Sequence, residues 1–225
     1  MLTLSIGGIT PFSTIDYPDK LSAVFYFQGC LFRCPYCHNG EFQEIKKPQF
    51  PFSEFASFIK ERKGFLDAVV FSGGEPLMFP EELEKLSEFA RDNGYFVGLH
   101  TTGFAPEKLE YLLKNNLLDW VGIDLKSHRE LYPVASGVEK NFFPETEKSI
   151  ELLKKYSVDF EVRTTVYEAI ADEENLNKLF EEYEKLGIES PVIQIFSEKG
   201  IVDGKIKEAV ESFIEKNGFS AVIRG

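Results

Sequence analysis

Runs of β-favouring apolar residues alternate along this chain with amphipathic, charge-rich segments, and no other feature restricts the possible folds as much. Strands are predicted at Ser22–Gln28, Ala68–Ser72, Tyr95–Thr102, Trp120–Lys126, Asp159–Tyr167 and Pro191–Phe196, with a weaker one at Ser220–Ile223. Helices are predicted between them near Pro51–Lys63, Pro80–Asp92, Pro106–Asn115, Pro144–Tyr156, Asp172–Leu186 and Lys205–Lys216. Several open with proline followed by glutamate, as in Pro80-Glu81-Glu82 and Pro106-Glu107, where the amide-rich end of a helix favours negative charge. Asn93-Gly94, Asn116, Gly187 and Asn217-Gly218 read as stops. Strand, loop and helix repeated in this way describe a parallel α/β sheet. About six such units are too few for a closed eightfold barrel and too regular for a sandwich, so the expected fold is a partial (β/α)6 barrel.

Residues 1–20 are rich in Gly, Thr, Ser and Pro, with turn signals at Gly7-Gly8 and Tyr17-Pro18-Asp19-Lys20, and read as an arm or hairpin serving as a lid or a bottom plug. No linker, low-complexity tract or repeat of solenoid type breaks the pattern. One domain over 1–225 is expected, with the barrel at 21–200 and a last helix and strand at 201–225. The one long irregular connection is Ser127–Phe143. A 43% hydrophobic content with 22 Phe can fill a sizeable core. The net charge of −12 repels phosphate backbones and anionic lipid, so neither nucleic acid nor a membrane is expected as a partner. The opening Met1–Gly8 has no basic start and no long apolar stretch, and a cytoplasmic protein is expected.

All three cysteines of the chain lie in Cys30-Leu31-Phe32-Arg33-Cys34-Pro35-Tyr36-Cys37. No disulfide pairing uses all three, whereas four thiolates would close a zinc site or a ferredoxin-type cluster. Three thiolates on a cube of four irons leave one iron open for chemistry. The alternative is a zinc ion completed by His38, although His38 directly adjoins Cys37 and zinc pairs usually keep two to four residues between ligands.

Side chains alternate across a strand, so the inward set can be counted by twos. On Trp120–Lys126, Val121, Ile123 and Leu125 suit packing under helices, and Gly122, Asp124 and Lys126 face the barrel interior. By the same count Gly98, His100 and Thr102 share a face, as do Glu161, Arg163 and Thr165, while Gln194 sits between Val192 and Phe196. Polar groups from several strands are thereby expected at one mouth, where active residues of such barrels belong. His100 and His128 have no ligand spacing and read as structural.

With Gly29 before it and His38-Asn39-Gly40 after it, the CxxxCxxC stretch resembles the cluster loop of radical S-adenosylmethionine (radical SAM) enzymes. The resemblance implies one [4Fe-4S] cluster on Cys30, Cys34 and Cys37. Its open iron would chelate SAM, which the reduced cluster cleaves to a 5′-deoxyadenosyl radical. Ser72-Gly73-Gly74-Glu75-Pro76 looks like the superfamily's motif for the SAM amino group, although a bare Gly-Gly after a strand is usually only a turn. Two glycines let backbone carbonyls approach a ligand, and Glu75 can hold the loop. A charge inside a barrel is costly unless paired, so Asp124 is read as meeting the ammonium and Lys126 the carboxylate of SAM. Their plain alternatives are a turn cap and a solvated lysine. Tyr36, Cys37 and His38 would lie beside the cofactor, Tyr36 near the adenine or else packed on the barrel. Arg163 contacts SAM or neutralises Glu161, and Gln194 is placed at the adenosine end.

Together with Asp124-Leu125-Lys126, these motifs look like the activases of glycyl radical enzymes. The arm Thr10–Lys20 leading into Gln28-Gly29-Cys30 is especially similar to anaerobic ribonucleoside-triphosphate reductase activating proteins. Such a protein takes a hydrogen from a glycine Cα of its partner, using electrons from a low-potential donor such as flavodoxin or ferredoxin. Ser127–Phe143 is the candidate partner-facing loop. Formate-lyase activases carry an Asp, part of a monovalent-cation site, where this chain has His100. Other readings are a formate-lyase type activase, a radical SAM enzyme acting on a small molecule, and a non-enzymatic iron-sulfur or zinc interaction domain.

Overall fold

The computed structural model describes residues 2–198 and 200–225. Its main sheet has eight strands: Ile6–Ser13 (β1), Ser22–Phe27 (β2), Ala68–Gly73 (β3), Phe96–Thr101 (β4), Trp120–Asp124 (β5), Asp159–Val166 (β6), Val192–Ile195 (β7) and Val222–Arg224 (β8). They lie side by side in chain order. β2 to β8 are all parallel, and β1 runs antiparallel to β2. From β3 on, each strand thus joins beside its predecessor through a helix, and right-handed crossovers of one sense keep every helix on the same side. That geometry rolls the sheet into a barrel, left open here because β1 and β8 are its two edges.

The helices are Phe52–Glu61 (α1), Pro80–Asp92 (α2), Pro106–Lys114 (α3), Tyr132–Ser136 (α4), Phe143–Lys155 (α5), Glu173–Lys185 (α6) and Gly204–Asn217 (α7). Their starts follow local chemistry. Pro80 and Pro106 occupy first-turn positions where no amide partner is needed, and Asp172 caps α6 by accepting the Asn175 amide at 2.9 Å. Apart from α4, every helix lies within two residues of its predicted limits.

The side chains of the strands separate by parity. Phe25, Phe27, Val69, Phe71, Val97, Leu99, Val121 and Ile123 point outward and are fully buried against the helices in the main core. Each contributes roughly 1.5–3 kcal/mol by leaving water. Facing inward, Val24, Ala68, Val70 and Trp120 form a second small core with Tyr17. Trp120 and Ala68 are the first residues of their strands, so Tyr17 closes the N-terminal end of the barrel. The arm is therefore an edge strand followed by a bottom plug, not a lid.

Candidate active site

From Phe27 the chain turns into the cysteine loop at the C-terminal ends of the strands. The Gly29 and Cys30 amides donate to the Phe42 and Gln43 carbonyls at 2.8 and 3.0 Å. On the far side the Arg33 amide donates to the Ser136 carbonyl at 2.9 Å. The Arg33 guanidinium reaches back to the Cys30 and Phe32 carbonyls at 2.6 and 2.7 Å, so the loop is folded by the protein itself. Cys30 is buried, Cys34 half-buried and Cys37 exposed, and all three are free. They line one cavity of about 440 Å³. Burial, and next the charge of Glu75, push the Cys30 thiol up to about 12, so a bound cation is what would stabilise its thiolate.

Among the described residues no three His, Cys, Asp or Glu side chains converge tightly enough to hold a single metal ion. A zinc site completed by His38 requires such convergence. A cube of four irons is instead held by thiolates that each meet a different iron, and three thiols bordering one cavity fit that demand. His38 is exposed, its ring 5.9 Å from that of Phe196.

Across the cavity lies Gly73-Gly74-Glu75. The Glu75 amide donates to the Gly29 carbonyl at 2.9 Å, and a Cβ on Gly74 would stand 2.1 Å from that same oxygen. Only glycine permits this contact between the two loops. Glu75 is buried and its carboxylate accepts four hydrogen bonds, from the Leu77 amide (3.1 Å), the Thr101 hydroxyl (2.6 Å), and the Thr102 amide and hydroxyl (2.8 and 2.6 Å). Burial still raises its pKa above the ordinary carboxylate value. Its four acceptor sites are thus occupied within the protein, and Glu75 braces the loop while still bordering the cavity.

Asp124 ends β5 opposite Arg163 on β6. The Arg163 Nε and terminal nitrogen donate to its Oδ1, each at 2.9 Å, and the Lys126 ammonium lies 3.2 Å from its Oδ2. Asp124 and Lys126 thus already hold each other within the protein. Arg163 belongs to Asp124 rather than to Glu161, which is 4.0 Å away and paired through both oxygens with Arg224 at 2.8 and 2.9 Å. Burial by itself raises the Asp124 pKa. The Arg163 and Lys126 charges outweigh it and hold the carboxyl well below the usual range. Burial opposes the charge on Lys126 as well, and Asp124 more than restores it. Three cations and two anions therefore alternate across β5, β6 and β8, an excess of one positive charge suited to a carboxylate.

Tyr36 is buried, its ring tilted against that of Tyr167 at 4.7 Å, and among the described residues its hydroxyl has no N or O partner. Its ring packs on the barrel while the residue still borders the cavity. Gln194 also lines the cavity, accepting the Thr165 hydroxyl at 3.4 Å. His100 Nε2 donates to the Asp16 carbonyl at 2.9 Å. Burial, then Arg163, lowers its pKa to about 3, so the imidazole stays neutral. His128 is structural, bonded to Asn175 at 2.9 Å.

Ser127–Phe143, expected as one long irregular connection, is partly helical. It contains α4, and Tyr132, Ser136 and Phe143 within it are buried. Its Ser136 carbonyl sits 3.7 Å from Cys34 Sγ, so the segment buttresses the cysteine loop. Sequence reasoning missed Arg224, which lines the cavity from the last strand, and Thr101, which shares Glu75 with the already counted Thr102. Counting by twos one residue past the predicted strand end would have placed Arg224 on the inward face, beside Gln194.

Residues 24–193 match the Radical SAM superfamily. This chain belongs to it. The superfamily's cofactors are a [4Fe-4S] cluster and SAM, and in this radical SAM enzyme all three cysteines are free. A Methanocaldococcus jannaschii protein with the provisional name glycyl-radical enzyme activating enzyme is 35% identical over 90% of this chain and 84% of its own. The pyruvate formate-lyase-activating enzyme of Clostridium pasteurianum is 29% identical over 77% of this chain and 74% of its own. Among solved structures, native anSMEcpe with bound AdoMet superposes with a TM-score of 0.64 at 21% identity. That match covers 88% of this chain and 61% of the other, so this chain spans about three fifths of its length. Streptococcus suis SuiB bound to the precursor peptide SuiA gives 0.67 at 14% identity, over 90% and 48%. These likenesses establish the barrel. No helix among the described residues is long and apolar enough to cross a membrane.

Proposed function

We propose that this radical SAM enzyme is an activase that generates a glycyl radical in anaerobic ribonucleoside-triphosphate reductase, working in the cytoplasm with a flavodoxin- or ferredoxin-like donor. The observation that carries the reading is the placement of Cys30, Cys34 and Cys37 on one cavity with Gly74, Asp124, Lys126 and Arg163. The end-to-end likeness to the methanogen protein supports the activase class. The arm Thr10–Lys20 supports the reductase as target.

When bound, cluster and SAM supply, from one electron, the radical that takes a hydrogen atom from the glycine Cα, leaving methionine and 5′-deoxyadenosine. The protein's part is placement. The cysteines hold the cluster, and the backbone of Gly73-Gly74 and the carboxylate of Asp124 accept from the SAM ammonium. Lys126 meets the SAM carboxylate while Arg163 keeps Asp124 aimed. Tyr36, His38 and Gln194 border the adenosine end. A formate-lyase type target is the second reading, favoured by the Clostridium relative.

The test is to mix the reduced protein and SAM with anaerobic ribonucleotide reductase or with pyruvate formate-lyase and record electron paramagnetic resonance. A glycyl doublet with the reductase alone is expected. A doublet only with the lyase, or none while a small metabolite is turned over, overturns the assignment.

A further inference from the structure

Hydrogen bonds between parts of the chain far apart in sequence close a circuit around the cavity mouth. Starting at the cysteine loop, the Gly29 carbonyl accepts the Glu75 amide at 2.9 Å. The Glu75 carboxylate holds the amide and hydroxyl of Thr102. The Thr102 carbonyl accepts the Thr146 hydroxyl of α5 at 2.8 Å. That hydroxyl has a single hydrogen, so at its other contact, 2.7 Å from the Tyr132 hydroxyl, Tyr132 is the donor. Tyr132 opens α4, and the Ser136 carbonyl at the end of α4 accepts the Arg33 amide at 2.9 Å, which returns the circuit to the cysteine loop.

The side chains of Glu75, Thr102, Thr146 and Tyr132 are buried, so the bonds they make are shielded from water. The join between α4 and the loop is also sterically tight. Gly137 follows α4 with φ of 69°, and a Cβ there would meet the Arg33 carbonyl at 2.0 Å. None of these groups touches the thiols except the Ser136 carbonyl, 3.7 Å from Cys34 Sγ.

We propose that this circuit sets the cysteine loop in its ligating shape before metal arrives, and that Tyr132, lying outside the cavity, is a positioning residue for the cluster. The proposal rests on the reading of Cys30, Cys34 and Cys37 as cluster ligands. Preorganisation of this kind removes the cost of ordering eight loop residues when iron binds.

The experiment compares Tyr132→Phe and Thr146→Val with wild type and with Tyr95→Phe. Tyr95 loses a buried tyrosine hydroxyl bond too, 2.8 Å to the Ile59 carbonyl, outside the circuit. In the cluster-free proteins, amide hydrogen exchange at Arg33 and Glu75 is expected to quicken about fivefold in Tyr132→Phe and more in Thr146→Val, which cuts two links, and not in Tyr95→Phe. After anaerobic reconstitution the two circuit variants are expected to hold less iron per chain, and their cluster midpoint potential is expected to move while that of Tyr95→Phe does not. Unchanged loop exchange in both circuit variants, or equal acceleration in Tyr95→Phe, overturns the circuit. A wild type that takes up no iron overturns the ligand reading instead, and the exchange result still decides the circuit.

Discussion

Thr102 gives both its backbone amide and its hydroxyl to one oxygen of Glu75, at 2.8 and 2.6 Å. With Thr101 and Leu77 on the other oxygen, the carboxylate ties the loop after β3 to the end of β4. Glu75→Gln keeps the shape but turns an NH2 group toward donors. The expected result is a loss of about 2–3 kcal/mol in unfolding free energy, from stranded buried groups, together with reduced iron content after reconstitution. Chemical denaturation and iron analysis check it, and wild-type values in both would show that the brace is dispensable.

Gly74→Ala places a methyl group against the Gly29 carbonyl, which neither loop can avoid without moving. The variant is expected to fold, since the clash lies at the cavity rim, and to bind SAM at least tenfold more weakly as the two loops part. Calorimetric titration of SAM into the reconstituted protein measures this.

For Cys34→Ala we expect loss of the cluster's visible absorbance and of reductive SAM cleavage, with much of the barrel retained because Cys34 is only partly buried and no strand depends on it. Circular dichroism and the yield of 5′-deoxyadenosine separate the two effects. Cleavage at the wild-type rate in this variant would remove Cys34 from the ligand set.

His100 is neutral in the fold, with its pKa lowered to about 3 from an ordinary 6.5. Between those values the unfolded chain takes up a proton that the native protein does not, so His100 makes stability fall as pH drops through this window. The slope is at most about 1.4 kcal/mol per pH unit, and cavity water lessens it. In His100→Gln, which can still donate to the Asp16 carbonyl, the acid limb between pH 6.5 and 3 is expected to flatten. Melting temperature against pH for the two proteins checks this. Asp124, also held low, loses stability on the same side and remains in both curves.

Parity along single strands made much of the site legible in advance. Counting by twos put Asp124, Arg163, Thr165 and Gln194 inward, and the cysteine spacing marked the loop. The same logic fails where contacts are not local. Ser136 carries no sequence sign that it faces Cys34 across a gap of about a hundred residues, nor Tyr132 that it bonds Thr146 of the next helix. Glu75 reads equally well as a ligand or a brace until its four donors, 26 and 27 residues away for three of them, are in place.

By itself the sequence determined the order of strands and helices, the inward and outward faces, and the trio of thiols, because these depend on periodicity and near neighbours. Only the tertiary structure decided which charges pair. Arg163 meets Asp124 rather than Glu161 because β5 and β6 lie in register, and Arg224 reaches Glu161 because the sheet curls its last strand toward the cavity. Charge pairing follows distance in space, and for groups dozens of residues apart that distance exists only once the barrel has formed.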